Sequence, residues 1–378
     1  MEFKLFKPIQ LGDITLQHRI VLAPCTRLRN SPEGAPLDIT VQYYEQRATV
    51  PGTFLISEGT SVAAKAVGFP NVPGIFNDVQ IKAWKKLVDA VHAKGSFIYL
   101  QLAAAGSLAL PDVLSAQGLP YVGAGTVPFP GREATPPRAL TIDEIKEYVQ
   151  FWATAAKNAV EGAGFDGVEV HGANGLLIHQ FLRSASNNRT DEYGGSAEGR
   201  SKFALEVVEA VVKAVGQNKV GFRISPWLQS NNASEEITST FTYLITRIRD
   251  LYPALSYLHV VEPRVERDST LDVAPKENND FLRKIWGSEA YIAAGGFGRE
   301  DAIQTVEEKG GLVALGRHFI ANPDLPRRFR EKLPLNKYDR PTFYVPGDVA
   351  AGYIDYPFYD EAKEKDEQLV SAEAIPVA

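Results

Sequence analysis

Two polar side chains follow a short apolar run with a spacing that suits work on a carbonyl group. His171 and Asn174 end the segment GVEVHGAN, and both carry N–H donors. Two such donors can hold one carbonyl oxygen and stabilise negative charge that develops on it. The alternative interpretation is a histidine that hydrogen-bonds within the protein core. The residues by themselves leave both interpretations open.

A second pattern suits a phosphate group. Gly295 and Gly296 end one apolar run, and Gly316 and Arg317 end the next run along the chain. Glycine leaves backbone N–H groups unhindered, and a guanidinium adds charged donors. We interpret these residues as a phosphate site, with simple turns of the chain as the alternative.

Polar residues at other runs suit an aromatic cofactor. Gln101 ends one run, Arg223 lies on another, and Thr26 follows the first. Side chains of this kind around one pocket suit a planar ligand with a hydrogen-bonding edge. For Arg223, an internal ion pair with Glu169 or Glu262 is the alternative.

The sequence contains no motif typical of metal binding or of nucleophilic hydrolysis. The sequence has no HExxH, CxxC or GxSxG pattern, and no His and carboxylate residues group at the ends of the runs. We therefore expect neither a metal site nor nucleophilic hydrolysis.

The composition excludes several classes of partner. Of 378 residues 44% are hydrophobic, and Lys+Arg 40 against Asp+Glu 46 give a net charge of −6. Such a chain does not attract nucleic acid, and no apolar run is long enough to cross a membrane. Cys25 is the only cysteine, so no internal disulfide can form. We expect a cytoplasmic protein with a small-molecule substrate, as a monomer or homodimer.

The elements that position these residues are eight short apolar runs rich in β-branched residues, with helical patterns between most of them. This alternation predicts an α/β fold, a (β/α)8 TIM barrel. A doubly wound sheet is the competing fold, but no GxGxxG motif follows the first run. The predicted strands are 19–25, 53–59, 96–103, 167–173, 220–226, 257–263, 291–297 and 312–318.

Helix signals are clear in two places. Asn77 with Gln80 and Thr141 with Glu144 have the spacing of capping boxes. Both pairs precede apolar residues at helical spacing. Gly162 and Gly164 are expected to end the second of these helices.

Some segments lie outside the repeat. LFKPIQLGDITLQHRI predicts an N-terminal hairpin, and the stretches 104–140, after the third strand, and from 334 onward exceed ordinary loop length. Long loops of this kind often wall a pocket. We expect one domain over 1–378, with an ordered core of about 3–360 and a frayed end, SAEAIPVA.

Several motifs are spread along nearly the whole chain. They are LFKPIQLGDITLQHRIVLAPCTRLRN, YYEQRA, GFDGVEVHGANG, NNRTDEYGGSAEGR, RISPW, GRHFIANPDLPRR and PLNKYDRPTFY. In these motifs, and most specifically in NNRTDEYGGSAEGR, the chain resembles the old yellow enzyme family, FMN-dependent barrel ene-reductases, and in particular its fungal branch with ergot-alkaloid pathway members.

The resemblance implies that FMN lies across the barrel mouth. It places Thr26 at the flavin O4, Gln101 at the pyrimidine edge and Arg223 at N1 and O2. The residues that it assigns to FMN are Pro24, Cys25, Thr26, Gly59, Gln101, His171, Arg223, Gly295, Gly296, Gly316 and Arg317.

The resemblance also implies a reaction. NADPH supplies hydride, which passes through FMN to the C=C bond of an α,β-unsaturated aldehyde or ketone, in fungal secondary metabolism. The residues that it assigns to catalysis are His171, Asn174, Thr26 and the position of Leu176, and those that it assigns to the substrate pocket are His171, Asn174, Tyr344, Trp227 and Ala103.

Two residues depart from the family pattern. Leu176 stands where typical members have a tyrosine that protonates the substrate, and leucine has no proton to donate. Either solvent or a hydroxyl such as that of Tyr344 replaces it, or the reaction is a redox-neutral isomerisation or cyclisation. A non-catalytic flavin-binding relic is the third alternative. Ala103 replaces a tryptophan, which predicts a wider pocket and a bulky substrate.

Overall fold

The barrel is closed. In the computed structural model, which describes residues 2–228, 234–263, 265–266, 269–270, 277–287 and 290–360, eight strands pair in parallel in chain order, and the eighth pairs with the first. This closure confirms the TIM barrel and excludes the doubly wound sheet. The strands are β1 (Ile20–Leu22), β2 (Phe54–Ile56), β3 (Phe97–Ala103), β4 (Gly167–Gly172), β5 (Val220–Ile224), β6 (Tyr257–Val261), β7 (Tyr291–Ala294) and β8 (Leu312–Leu315).

A helix follows each strand. These helices are α1 (Asp38–Arg47), α2 (Asp78–Ala93), α3 (Ile142–Lys157), α4 (Ala197–Val215), α5 (Ser234–Leu251), α6 (Asp280–Trp286), α7 (Arg299–Lys309) and α8 (Leu325–Glu331). Shorter helices are Pro111–Ser115, Leu177–Leu182 and Arg317–Ala321. No helix of the described ranges is long and apolar enough to cross a membrane.

The Thr141–Glu144 capping box is confirmed, whereas Asn77 with Gln80 forms only half of one, because the Gln80 side chain accepts the Phe76 backbone N–H instead of that of Asn77. The Asn77 side chain accepts the Gln80 backbone N–H, and Thr141 and Glu144 cap each other's backbone N–H groups. Gly162, in contrast, does not end the second helix. A π-helical turn, Asn158–Ala163, continues α3, and the chain turns at Gly164, whose φ of 83° favours glycine.

The N-terminal hairpin closes the bottom of the barrel, as predicted. Its strands, Ile9–Leu11 and Ile14–Leu16, pair antiparallel. Their apolar side chains pack against inward-facing residues of the barrel, among them Phe54, Tyr257 and Leu312. These apolar side chains fill this end of the barrel, so we expect ligands to bind at the opposite end.

The inside of the barrel is polar on the side of β3 to β6. Glu169 on β4 contacts His259 on β6 although β5 lies between these strands, so both side chains point inward. Gln101 on β3 and Arg223 on β5 are also buried. In contrast, β7, β8, β1 and β2 direct mainly apolar side chains inward. The polar half faces the region where the sequence predicts a cofactor edge.

Buried arginines hold the segment after α8 over the barrel mouth. The guanidinium of Arg27 donates to the carbonyl oxygens of Phe343 (3.1 Å) and Gly352 (2.8 Å), and Arg29 donates to that of Thr342 (2.8 Å). Arg47 donates to the Tyr353 carbonyl. Because several donors of each guanidinium are used at once, the segment takes a defined path. The stretch from 334 onward thus contributes to the pocket, as predicted.

Candidate active site

A large cavity opens where the strands end. Its volume is about 1280 Å³, and its lining comes from the ends of β1 and β3 to β8, the segment after β2, the loop 104–140 and the segment after α8. Barrel enzymes place their chemistry at this end of the strands. The cavity is larger than most small-molecule sites, which suits a cofactor together with a substrate.

Most of the residues predicted for the site line this one cavity. They are Pro24, Cys25, Thr26, Gly59, Gln101, Ala103, His171, Asn174, Leu176, Arg223, Gly295, Gly296, Gly316, Arg317 and Tyr344. Trp227 is not brought to it: its indole N–H donates to the Asn279 side chain (2.9 Å), and the neighbouring Leu228 lines the cavity.

His171 is a neutral hydrogen-bond donor. Burial, followed by the charge of Arg223, lowers its pKa well below the usual range. Its Nδ1 accepts the backbone N–H of Ala173 (3.2 Å), so the single ring proton must lie on Nε2. The donor predicted at this position is therefore the Nε2–H group of a neutral ring.

Asn174 is held beside His171 in an unusual backbone conformation. Its φ is 58°, in the left-handed region that asparagine tolerates better than most residues. Its backbone N–H donates to the buried hydroxyl of Ser225 (2.8 Å), which follows β5. This contact stabilises the turn that presents the Asn174 side chain to the cavity.

Leu176 faces both the cavity and an apolar cluster. The cluster consists of Ala105, Ala109 and Leu114 from the loop 104–140, and Leu176 packs against it. The nearby Tyr121 hydroxyl donates to the Ser107 carbonyl (2.7 Å), so its proton is engaged. Tyr344, which carries the other candidate hydroxyl group, lines the cavity and is 56% exposed.

Glycines shape the other end of the cavity. Gly295 and Gly296 have φ angles of 131° and 64°, which other residues adopt with strain. A Cβ at Gly316 would lie 3.1 Å from the Cys25 sulfur, so this approach is also tight. With Arg317 in the lining, the backbone and a guanidinium can converge on one anion.

A buried carboxylate lies beneath the cavity. Glu169 accepts from the Gln101 side-chain amide (2.6 Å) and pairs with Nδ1 of His259 (2.7 Å). Burial raises its pKa, but its interaction with His259, followed by the charge of Arg223 and the hydrogen bond from Gln101, outweighs this and brings the pKa below the ordinary value. Burial also lowers the pKa of His259, so we assign His259 as neutral, with Nδ1–H as the donor. Glu169 is thus an anion next to Arg223.

Arg223 has an unused donor at the cavity wall. Its Nε is buried and has no hydrogen-bond partner within the described residues. The sequence offered Glu169 and Glu262 as ion-pair partners of Arg223. Burial lowers the pKa of Arg223 and the negative charge of Glu169 offsets this in part, whereas Glu262 accepts a hydrogen bond from the Asn279 side-chain amide (3.0 Å). Buried donors normally have an acceptor, and a ligand in the cavity can supply one to this Nε.

The donor set fits FMN. The glycines with Arg317 suit its phosphate, and Arg223 and Gln101 offer N–H and C=O groups to a pyrimidine edge. A family model described as the NADH:flavin oxidoreductase / NADH oxidase family matches residues 4–336. The chain belongs to this family. The flavin oxidoreductases of this family use FMN with a nicotinamide nucleotide as reductant.

Curated relatives agree with this assignment. The "Probable inactive reductase easA" of Epichloe festucae var. lolii is 47% identical over 367 residues, which are 94% of this chain and 96% of the relative. The "Chanoclavine-I aldehyde reductase fgaOx3" of Penicillium roqueforti is 46% identical and covers 95% of this chain and 97% of its own.

A solved structure also supports the assignment to this family. The crystal structure of Old Yellow Enzyme from Pichia sp. AKU4542 is similar, with a TM-score of 0.87 at 34% identity, and the match covers 95% of this chain and 94% of that chain. The resemblance to the old yellow enzyme family is therefore confirmed.

Sequence reasoning did not find part of the lining. Phe69, Phe129 and Arg132 reach the cavity from loops, and Arg340 and Phe343 reach it from the segment after α8. For all of these except Phe69, the only signal was the length of the two irregular stretches, which predicts a wall but not which side chains form it.

The buried carboxylate gives a stability prediction. Glu169→Gln is expected to lower the free energy of unfolding by about 3–5 kcal/mol, because Arg223 stays buried without its anion. Glu147→Gln is the control, since its ion pair with Lys65 is 42% exposed and such pairs contribute only about 0–1 kcal/mol. Urea unfolding of both variants measures the difference. Equal losses of unfolding free energy in the two variants would show that the negative charge of Glu169 does not stabilise the fold.

Proposed function

We propose that the protein reduces a C=C bond conjugated to an aldehyde or ketone, with a nicotinamide nucleotide as hydride source. The observation that carries the proposal is the neutral His171, whose Nδ1 is engaged by Ala173 and which lines the flavin-sized cavity together with Asn174. Two neutral donors bind a carbonyl oxygen and stabilise the enolate charge that develops there.

The cofactor would be held by residues that the cavity brings together. FMN, when bound, accepts hydride from the nucleotide and passes it to the substrate. Arg223 and Gln101 would bind the pyrimidine edge, and Thr26 would donate to O4. Pro24, Cys25 and Gly59 would line the ring, and Gly295, Gly296, Gly316 and Arg317 would bind the phosphate.

The source of the substrate proton distinguishes this chain from typical members. Leu176 offers none, so the α-carbon would be protonated by the Tyr344 hydroxyl group or by solvent that enters beside it. Tyr344 is more than half exposed, so water has access to this side of the cavity. We expect slow protonation and therefore a long-lived enolate.

A redox-neutral isomerisation or cyclisation is the second candidate. A long-lived enolate would be able to return its hydride to the flavin after bond rotation, with no net redox change, or to attack another part of the substrate. The apolar contacts of Leu176 support this, because they exclude water next to Asn174. The name of one relative, a probable inactive reductase, fits the redox-neutral candidate, and that of another, an aldehyde reductase, fits the reduction.

The proposed setting follows from composition. A single cysteine suits a reducing compartment, and the negative net charge suits a small-molecule partner rather than nucleic acid. We propose that the chain works in the cytoplasm as one FMN-binding barrel domain, as a monomer or homodimer.

An anaerobic experiment tests the function. The purified holoenzyme is mixed with NADPH, and the flavin band is followed before and after a small enal or a bulky enal is added. We expect NADPH to bleach the band and an enal to restore it with one saturated product per NADPH. A band that stays bleached while an isomerised or cyclised product forms, with no NADPH consumed beyond that used to reduce the flavin, would favour the second candidate. Failure of NADPH and NADH to bleach the band would contradict both.

A further inference from the structure

Two buried side chains hold the turn that carries Asn174. Asn174 and the following Gly175 have φ angles of 58° and 80°, both in the left-handed region. Nδ1 of His179 accepts the Gly175 N–H (2.8 Å), and the Gln180 side-chain amide donates to the Gly175 carbonyl oxygen (2.7 Å). Both polar groups of the Gly175 backbone are therefore bound by side chains of the short helix Leu177–Leu182.

Gln180 binds the loop 104–140 at the same time. Its Nε2 also donates to the Ala105 carbonyl oxygen (3.0 Å), and its Oε1 accepts the Ser107 backbone N–H (3.0 Å). A side-chain amide has two N–H donors and one oxygen, and here each of them binds backbone. Because Ala105 lines the cavity, this one buried amide fixes the start of the loop relative to the Asn174 turn.

His179 serves as an acceptor because its ring is neutral. Burial, followed by the charge of Arg183, lowers its pKa to about 3. Since Nδ1 accepts from Gly175, the ring proton lies on Nε2, which is buried and has no partner within the described residues. The contact with Gly175 is thus the one hydrogen bond that the ring makes in the described part of the chain.

Neither side chain belongs to the described lining of the cavity. His179 and Gln180 can therefore affect a ligand only through the backbone that they hold. A residue other than glycine stays in the left-handed region only when its surroundings hold it there. The contacts of Gly175, together with the bond from the Asn174 N–H to Ser225, supply that constraint.

We propose that His179 and Gln180 are positioning residues that hold the Asn174 amide where it binds the carbonyl oxygen of the substrate. The inference rests on the proposed function, which assigns Asn174 to that oxygen. Loss of either contact lets the turn relax and moves the Asn174 donor, while the residues assigned to FMN lie elsewhere in the cavity wall. A shift of about 1 Å in a binding group can lower the rate about 100-fold.

His179 can be tested with a pair of variants that differ by one acceptor. The side-chain oxygen of asparagine lies one bond beyond Cγ, as Nδ1 does in histidine. His179→Asn therefore keeps an acceptor for the Gly175 N–H, whereas His179→Leu removes it. Gln180→Leu removes all the contacts that join the turn to the loop 104–140.

Asn187→Leu is the matched control for Gln180→Leu. The buried Asn187 amide donates to the carbonyl oxygens of Phe181 and Tyr193, at 2.8 Å each. Its oxygen accepts the Arg189 backbone N–H (3.1 Å). Asn187 thus uses the same donors and acceptor as Gln180, but it neither touches the Asn174 turn nor belongs to the described cavity lining.

Two measurements on the holoenzyme, at equal FMN content, distinguish positioning from stability. The first is the Kd of benzaldehyde for the oxidised enzyme, followed through the flavin band, because benzaldehyde has a carbonyl group but no alkene to reduce. In the second, the flavin is reduced anaerobically with one equivalent of dithionite and reoxidised by a small enal or by ferricyanide. Ferricyanide takes electrons without a bound carbonyl group.

The expected result is selective for carbonyl ligands. His179→Leu and Gln180→Leu should raise the benzaldehyde Kd about tenfold and slow reoxidation by the enal about 10–100-fold. His179→Asn and Asn187→Leu should stay close to the wild type in both measurements. Reoxidation by ferricyanide should be the same in all variants.

An unchanged benzaldehyde Kd in both leucine variants, or a rise no larger than that in Asn187→Leu, would overturn the inference. If Gln180→Leu does not fold, the two His179 variants decide through the same Kd, and equal values for them would overturn it. Wild-type holoenzyme whose flavin band benzaldehyde does not change, and which no enal reoxidises, would refute the proposed function and the inference with it.

Discussion

Replacement of His171 by alanine is expected to lower kcat/KM for a conjugated enal about 10²–10³-fold. Removal of one preformed donor to a developing oxyanion typically has an effect of this size. The His171 donor is preformed because the Ala173 N–H fixes the tautomer and burial keeps the ring neutral. Steady-state kinetics with a small enal, at equal FMN content, measure the loss.

His171→Asn is the matched control for that variant. Asparagine keeps one N–H donor and should recover part of the activity, whereas alanine should not. A loss of less than about fivefold in the alanine variant, or identical behaviour of the two variants, would contradict a role for His171 at the carbonyl oxygen.

The pH dependence follows from the same contacts. Burial lowers the pKa of His171, so the neutral form persists as the pH falls through the range where an ordinary histidine gains a proton. Enal reduction should therefore show no inflection near pH 6.5. An inflection there that disappears in His171→Asn would contradict the neutral donor.

Leu176→Tyr is expected to raise the rate of enal reduction about 10²-fold or more. A positioned general acid typically contributes 10²–10⁴-fold, and the variant supplies one next to Asn174 in the same cavity wall. Anaerobic stopped-flow mixing of the reduced enzyme with a small enal isolates this step. Any isomerised or cyclised product should fall at the same time, because faster protonation shortens the life of the enolate.

Leu176→Phe separates proton donation from pocket shape. Phenylalanine has the same ring as tyrosine and packs a similar volume against Ala105, Ala109 and Leu114, but it has no hydroxyl group. We expect no gain in rate from it. Equal rates and product ratios for the tyrosine and phenylalanine variants would show that Leu176 is only part of the pocket wall.

The sequence alone was sufficient for the barrel and for the site residues at the strand ends. Strand–helix alternation and caps such as Thr141 with Glu144 are local signals, and the parallel direction of the strands follows from them. Once the strands are parallel, residues such as Gln101, His171 and Gly295 must meet at one end. The family motifs added the cofactor, because they match a known site residue by residue.

Tertiary structure decided what local patterns do not encode. Arg223 interacts with Glu169, which points into the barrel from the neighbouring strand β4, whereas Glu262, just after β6, is bonded to Asn279. Trp227 turned to Asn279 instead of the cavity, although it directly follows the motif RISP.

The placement of Arg132 and Arg340 has the same origin. Contacts such as Arg27 to Phe343, separated by 316 residues, set the path of the segment that carries Arg340. Strand periodicity is fixed by the backbone, whereas the direction of a loop side chain is fixed by distant partners that exist only in the folded chain.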